Sequence, residues 1–124
     1  MIHEEICTYE VCKLAKEKGF DVQTFDWYDY TGNYNKGFIP HKLHECPRYK
    51  EYYAPTQSLL QRWLREEKKW NVVVRMYEEE GYYWFIQNSK GQLQSSYFTY
   101  ADEMFATYEL ALEDALKYAL EKLV

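Results

Sequence analysis

The chain has 124 residues, of which 47% are hydrophobic and 28% charged, and its formal net charge is −5. This length and composition indicate one domain over residues 1–124, whose core needs neither a metal nor a disulfide. The acidic balance disfavours nucleic-acid binding, which needs clustered Lys and Arg, and the lack of a long apolar run disfavours a membrane partner. The N-terminus has no apolar leader region, so a cytoplasmic location is expected.

A helix over residues 3–18 is the first predicted element, with one apolar stripe and a stop at Gly19. An aromatic-rich segment follows, because ten of the 24 Tyr, Phe and Trp residues fall between residues 20 and 53. Within it, residues 23–30 fit a short edge strand, with residues 36–39 pairing back after a turn. Disordered segments are poor in aromatic residues, so this segment is expected to be ordered.

A second helix is predicted after a Thr56 N-cap, followed by three strands and a third helix. The strands cover residues 70–77, 82–88 and 92–99, and the last helix covers residues 108–123 after a Thr107 N-cap. The predicted fold class is α+β: a three-stranded antiparallel meander with three helices mostly on one face. The element order is α–(irregular aromatic segment)–α–β–β–β–α.

The first two strands are apolar on both sides, which is unusual for an antiparallel sheet with one face in water. Both faces of the meander are therefore expected to be covered. The helices account for one face. The aromatic segment or a second subunit is expected to cover the other, and a homodimer is left open.

Six aromatic side chains are candidates for a partner-binding surface. Tyr and Trp offer a large contact area at low entropy cost and are frequent at binding hot spots. The competing interpretation is that these rings form the domain's own second layer. The candidates are Trp27, Tyr28, Tyr30, Tyr34, Tyr52 and Tyr53.

A small anionic ligand or nucleotide is the alternative partner. Arg62 and Arg65 on the second helix, with Arg48 and Tyr53 before it, offer planar guanidinium groups and a stacking face. The start of the helix adds backbone N–H groups that can bind an anion. The competing interpretation is a solvated helix face beside packing tyrosines.

His41, His44 and Cys46 form the one sequence cluster with metal-ligating residue types. Their spacing matches no common zinc module. A Cys46 nucleophile with a histidine base lacks an evident oxyanion donor or orienting carboxylate. A zinc- or cysteine-dependent hydrolase is therefore the weaker alternative, and the expectation is a non-enzymatic protein without a cofactor.

Three sequence blocks resemble a known family: residues 14–21 (LAKEKGFD), 54–66 (APTQSLLQRWLRE) and 105–113 (FATYELALE). Together they are similar to an uncharacterised family of short proteins from prophages and other mobile elements of Bacteroides-type gut bacteria. The chain departs from that family's pattern between residues 26 and 53. The resemblance implies a bacterial host cell and a host or phage protein as partner, and it carries over no activity and no site residue.

Overall fold

The computed structural model describes residues 4–37, 51–96 and 104–124. In these ranges the protein has three helices and two three-stranded antiparallel sheets, which confirms the α+β class. The chain divides into two compact units, Met1–Thr56 and Gln57–Val124. The prediction of one domain over residues 1–124 stays a prediction.

Helix α1 of the first unit covers Tyr9–Glu17, so it begins later than predicted. The reason is Thr8, whose Oγ1 accepts a hydrogen bond from Val11 N at 3.4 Å and caps the helix. Before the cap the chain is extended, and Cys7 N donates to Pro55 O at 3.0 Å. Ile6 and Cys7, just ahead of Thr8, therefore take part in a bridge to Pro55 and Thr56 rather than in the helix.

The prediction that the first helix stops at Gly19 is confirmed. Gly19 has a φ of +99°, a left-handed conformation that glycine adopts without strain. Phe20 N then donates to Ala15 O at 2.9 Å, and the Phe20 ring is buried. The chain thus folds back onto the last turn of the helix.

The aromatic segment contains a second small sheet, so the prediction of a single meander is incomplete. Its strands are β1 (Trp27–Tyr28), β2 (Tyr34–Asn35) and β3 (Tyr52–Tyr53), in the order β2–β1–β3. The predicted edge strand is therefore the central strand, and its hairpin partner comes earlier than residues 36–39. Each strand contributes two residues to the pairing.

The second unit contains the predicted helix, meander and terminal helix. These are α2 (Gln57–Glu67), β4 (Trp70–Tyr77), β5 (Gly81–Asn88), β6 (Leu93–Ser95) and α3 (Tyr108–Tyr118), which widens to a π-helix over Ala119–Leu123. Both pairings of the meander are antiparallel. The third strand ends at Ser95, before the predicted end at residue 99, and residues 97–99 lie outside the described residues. The predicted Thr107 cap is confirmed, because Thr107 Oγ1 accepts from Leu110 N at 3.1 Å.

Helices α2 and α3 cover one face of the meander, called the inner face and formed by Val72, Trp84 and Ile86. Trp84 is fully buried there, and its Nε1 donates to Asp114 Oδ2 at 2.9 Å. The opposite side, the outer face, carries Val73 and other half-buried or exposed side chains. No helix in the described part of this unit packs on the outer face. Several of its side chains are exposed, so the described residues do not bear out the expectation that both faces of the meander are covered.

Candidate functional site

Residues 22–35, called the aromatic hairpin, contain β1, β2 and the turn between them. Asp29 organises the turn. Its Oδ1 accepts from the backbone N of Thr31 and of Asn33, both at 3.0 Å, and from the Thr31 hydroxyl at 2.5 Å. The hydrogen bond from the Thr31 side chain, with further ones from Asn33 and Asn35, lowers the pKa of Asp29 below its usual 3.8. The carboxylate is therefore ionised at neutral pH.

Asp26 fixes the base of the hairpin. Its Oδ2 accepts from the Tyr34 hydroxyl, and its Oδ1 accepts from Gly37 N at 3.3 Å. Its main-chain oxygen accepts from Ala54 N at 3.0 Å, which ties β1 to the segment that follows β3. Burial and the Asp26 carboxylate raise the pKa of Tyr34 to about 12, so the hydroxyl stays a proton donor at neutral pH.

Three of the six predicted partner-binding residues belong to the packed part of the first unit. Tyr52 and Tyr53 are buried, at 5% and 6% exposure. Tyr28 is half-buried, its hydroxyl donates to Cys7 O at 2.8 Å, and its ring meets that of Tyr9 edge to face. These three rings therefore pack within the unit and do not form a free contact surface.

Two of the three remaining candidates lie on the surface of the aromatic hairpin. Tyr30 is 70% exposed and Tyr34 is 37% exposed, whereas Trp27 is half-buried. The sequence-based selection missed Phe25, which is 84% exposed. A phenylalanine in an alternating strand is more often buried, so no signal in the sequence marks this exposure.

The large exposed apolar side chains of the first unit, within its described residues, all lie in the aromatic hairpin. They are Val22, Phe25, Tyr30 and Tyr34. The hairpin also contains two aspartates and no lysine or arginine. It therefore presents aromatic rings in a negatively charged setting, which suits non-covalent recognition of cationic groups.

The predicted anion-binding residues are described one by one, because they belong to different units or lie outside the described residues. Arg62 and Arg65 lie on the exposed side of α2, and Arg62 Nε is 3.1 Å from Glu66 Oε1 in an ion pair along the helix. Tyr53 is buried in the first unit. Arg48 lies outside the described residues, so this site stays a prediction.

The weak metal candidates His41, His44 and Cys46 also lie outside the described residues. Within residues 4–37, 51–96 and 104–124, no group of three or more His, Cys, Asp or Glu side chains is placed to hold a metal ion. Cys7 and Cys12 are buried, as expected of small hydrophobic side chains. In the same ranges no helix has the length and apolar character needed to cross a bilayer.

Comparisons with known proteins add no constraint on the site. No family model matches the chain, and neither a curated protein nor a solved structure is significantly similar to it. The resemblance to the mobile-element family therefore stays a prediction.

Proposed function

We propose that this protein is a non-enzymatic binding module that holds a basic surface of a partner protein through the aromatic hairpin. One observation carries the proposal: the large exposed apolar side chains in the described part of the first unit are confined to residues 22–35. Scattered exposed rings are ordinary on protein surfaces, whereas a concentration on one element is typical of an interaction site.

The hairpin is ordered before any partner arrives. Asp29 holds the turn with three hydrogen bonds to its Oδ1, and Asp26 ties the base of the hairpin to Tyr34 and Gly37. Because the backbone is already fixed, binding would cost little loop-ordering entropy. Both carboxylates act here as structural acceptors, which supports a binding role over acid–base catalysis.

The charge of the aromatic hairpin favours a particular kind of partner. The hairpin has two aspartates and no cation, and the faces of Phe25 and Tyr30 attract lysine and arginine side chains. A basic partner surface is favoured, and complementary charge would also speed the encounter. The setting proposed from the sequence resemblance is the cytoplasm of a bacterial host, with a host or phage protein as partner.

The test is selection of displayed random 12-residue peptides on immobilised full-length protein. We expect peptides rich in Arg and Lys, whose binding weakens as salt concentration rises because exposed charges are screened. The double variant Phe25→Ser/Tyr30→Ser is expected to weaken their binding about tenfold or more, as at other aromatic hot spots. Both side chains are exposed, so its free energy of unfolding should stay within about 0.5 kcal/mol of wild type.

The matched control is Tyr108→Ser/Leu110→Ser, which removes two other exposed apolar side chains at the start of α3. This control is expected to bind the selected peptides like wild type. Selection of acidic or neutral peptides would reject a basic partner. Equal binding by the hairpin variant would show that the aromatic hairpin is not the contact surface.

A further inference from the structure

We infer that the outer face of the meander is a separate binding site for a small planar aromatic carboxylate. A groove of about 430 Å³ lies on this face, lined by Arg75, Tyr77, Tyr83, Phe85, Gln87 and Leu93. All of these residues belong to the second unit, so the inference does not depend on the proposed role of the aromatic hairpin.

Strand register explains why these side chains share one face. Arg75 is paired with Tyr83, and Phe85 with Ser95. Because side chains alternate along a strand, the odd-numbered residues of β4, β5 and β6 all point to the outer face. Ser95 is small and its Oγ donates to Trp84 O at 3.1 Å, so space remains beside the larger Phe85 ring.

Aromatic rings and one cation form the groove. The Tyr77 and Tyr83 rings stand edge to face, with centroids 6.3 Å apart. The Arg75 guanidinium carbon lies 5.0 Å from the centroid of the Phe85 ring. A planar aromatic ligand in the groove would therefore lie against aromatic side chains next to a positively charged group.

The charge of Arg75 selects an anion. Across the described residues, no carboxylate forms an ion pair with Arg75, and its guanidinium contacts the Phe85 ring. A guanidinium presents a planar set of donors that matches a carboxylate with two parallel hydrogen bonds. The exposed Gln87 amide adds a second polar group to the lining.

The size of the groove fits a small molecule. Ligand sites commonly enclose about 300–1,000 Å³ and combine apolar walls with a few polar groups that fix orientation. The outer groove has this composition, with three aromatic rings, one leucine and the polar ends of Arg75 and Gln87. An aromatic ring stacked in the groove would carry its carboxylate toward Arg75.

Three ligands with one indole ring and different charges test the inference: indole-3-acetate, indole-3-acetamide and tryptamine. Each is titrated into the ¹⁵N-labelled full-length protein and followed by amide chemical shifts. We expect indole-3-acetate to bind most tightly and tryptamine least, with shifts centred on β4, β5 and β6. Arg75→Gln should weaken indole-3-acetate about tenfold, the size of a lost charge-assisted hydrogen-bond pair, and leave indole-3-acetamide nearly unchanged.

Two further variants sharpen the test. Arg75→Lys keeps the charge but loses the planar fork, so its affinity for indole-3-acetate should fall between wild type and Arg75→Gln. Arg65→Gln removes an exposed arginine from α2 in the same unit and should bind like wild type. Arg75 is itself exposed, so loss of binding without a change in melting temperature reports on the site rather than on folding.

Several results would overturn the inference. These are equal binding of the three ligands, no binding at millimolar concentration, an affinity that does not depend on Arg75, or shifts centred outside the meander. Chemical shifts of the outer face that change with protein concentration alone would assign this face to contacts between copies of the chain, which also rejects the ligand site.

Discussion

At the scale of single residues, tyrosines of the aromatic segment have different roles that the sequence does not distinguish. Tyr53 is buried and Tyr30 is largely exposed, although both occur in similar aromatic contexts. Tyr28 lies between these extremes, because its hydroxyl reaches Cys7 O and its ring packs on Tyr9. The role of each ring depends on which strand it joins, and this is decided by pairing across distant parts of the chain.

Tyr34 gives a pH-dependent prediction. Burial and the nearby Asp26 carboxylate raise its pKa from the usual 10.0 to about 12. Because the pKa is higher in the folded state, the protonated hydroxyl stabilises the fold below pH 10, and this contribution is lost as the pH rises through about 12. An NMR titration of the Tyr34 ring is expected to show this late ionisation.

Asp26→Asn should lower the pKa of Tyr34 part of the way toward its usual value, because the charge is removed while burial remains. Asp21→Asn changes an exposed aspartate elsewhere in the same unit and serves as the matched control. A wild-type Tyr34 pKa near 10, or equal effects of the two variants, would contradict the structure at this position.

At the scale of elements, the sequence predicted best where one local signal determines the outcome. The β4–β5 hairpin follows from two runs of β-branched and aromatic residues, and α3 from its apolar stripe and the Thr107 cap. Helix α1 begins later than predicted because Ile6 is bridged to the distant Thr56 and Thr8 then caps the helix. The small sheet was predicted only in part: a strand and a returning partner were expected, but β3 and the bounds of β1 and β2 were not, because two-residue strands carry no periodic signal.

The binding surfaces were only partly predictable, for the same reason. Tyr30 was selected from composition, but Phe25 was not, since exposure depends on which neighbours pack around a side chain. The outer groove depends on Arg75, Phe85 and Ser95 meeting across three strands. No local motif in the sequence marks that meeting.

Gly81, at the start of β5, has no room for a side chain. Its φ is +145°, and a Cβ at this position would lie 2.6 Å from the backbone oxygen of Phe105. That backbone is held in place by two hydrogen bonds of 2.8 Å with Tyr82. Gly81→Ala is therefore expected to lower the free energy of unfolding by about 2 kcal/mol or more, measured by urea denaturation.

Gly91 provides the comparison. It also has a positive φ, +83°, but a Cβ added there would have nothing within 4 Å. Gly91→Ala should cost only the backbone strain of about 1 kcal/mol. Equal losses for the two variants would mean that the close approach to Phe105 has no energetic role.

At the scale of the whole molecule, the chain contains two compact units, Met1–Thr56 and Gln57–Val124. They can unfold either together in one transition or separately. A chain of about 60 residues buries only about 60% of its surface on folding, so each unit alone would be marginally stable. We therefore expect the full chain to unfold as one domain, in line with the prediction from its length.

Native-state hydrogen exchange of the Gly81→Ala variant tests this expectation. If folding is cooperative over the whole chain, slow amides of α1 and of β5 lose protection by the same free energy. Loss confined to the second unit would instead make the chain two independently stable domains. Wild-type protein at the same pH and temperature provides the reference.

The hydrogen bonds of the aromatic hairpin predict which of its residues can vary during evolution. Asp26 and Asp29 hold its backbone, while Phe25 and Tyr30 project from it. A mutation of a projecting residue alters what the hairpin recognises and leaves its scaffold intact. Relatives of this protein are therefore expected to retain the two aspartates and to diversify at the two rings, so that one fold can be redirected to new targets by single substitutions.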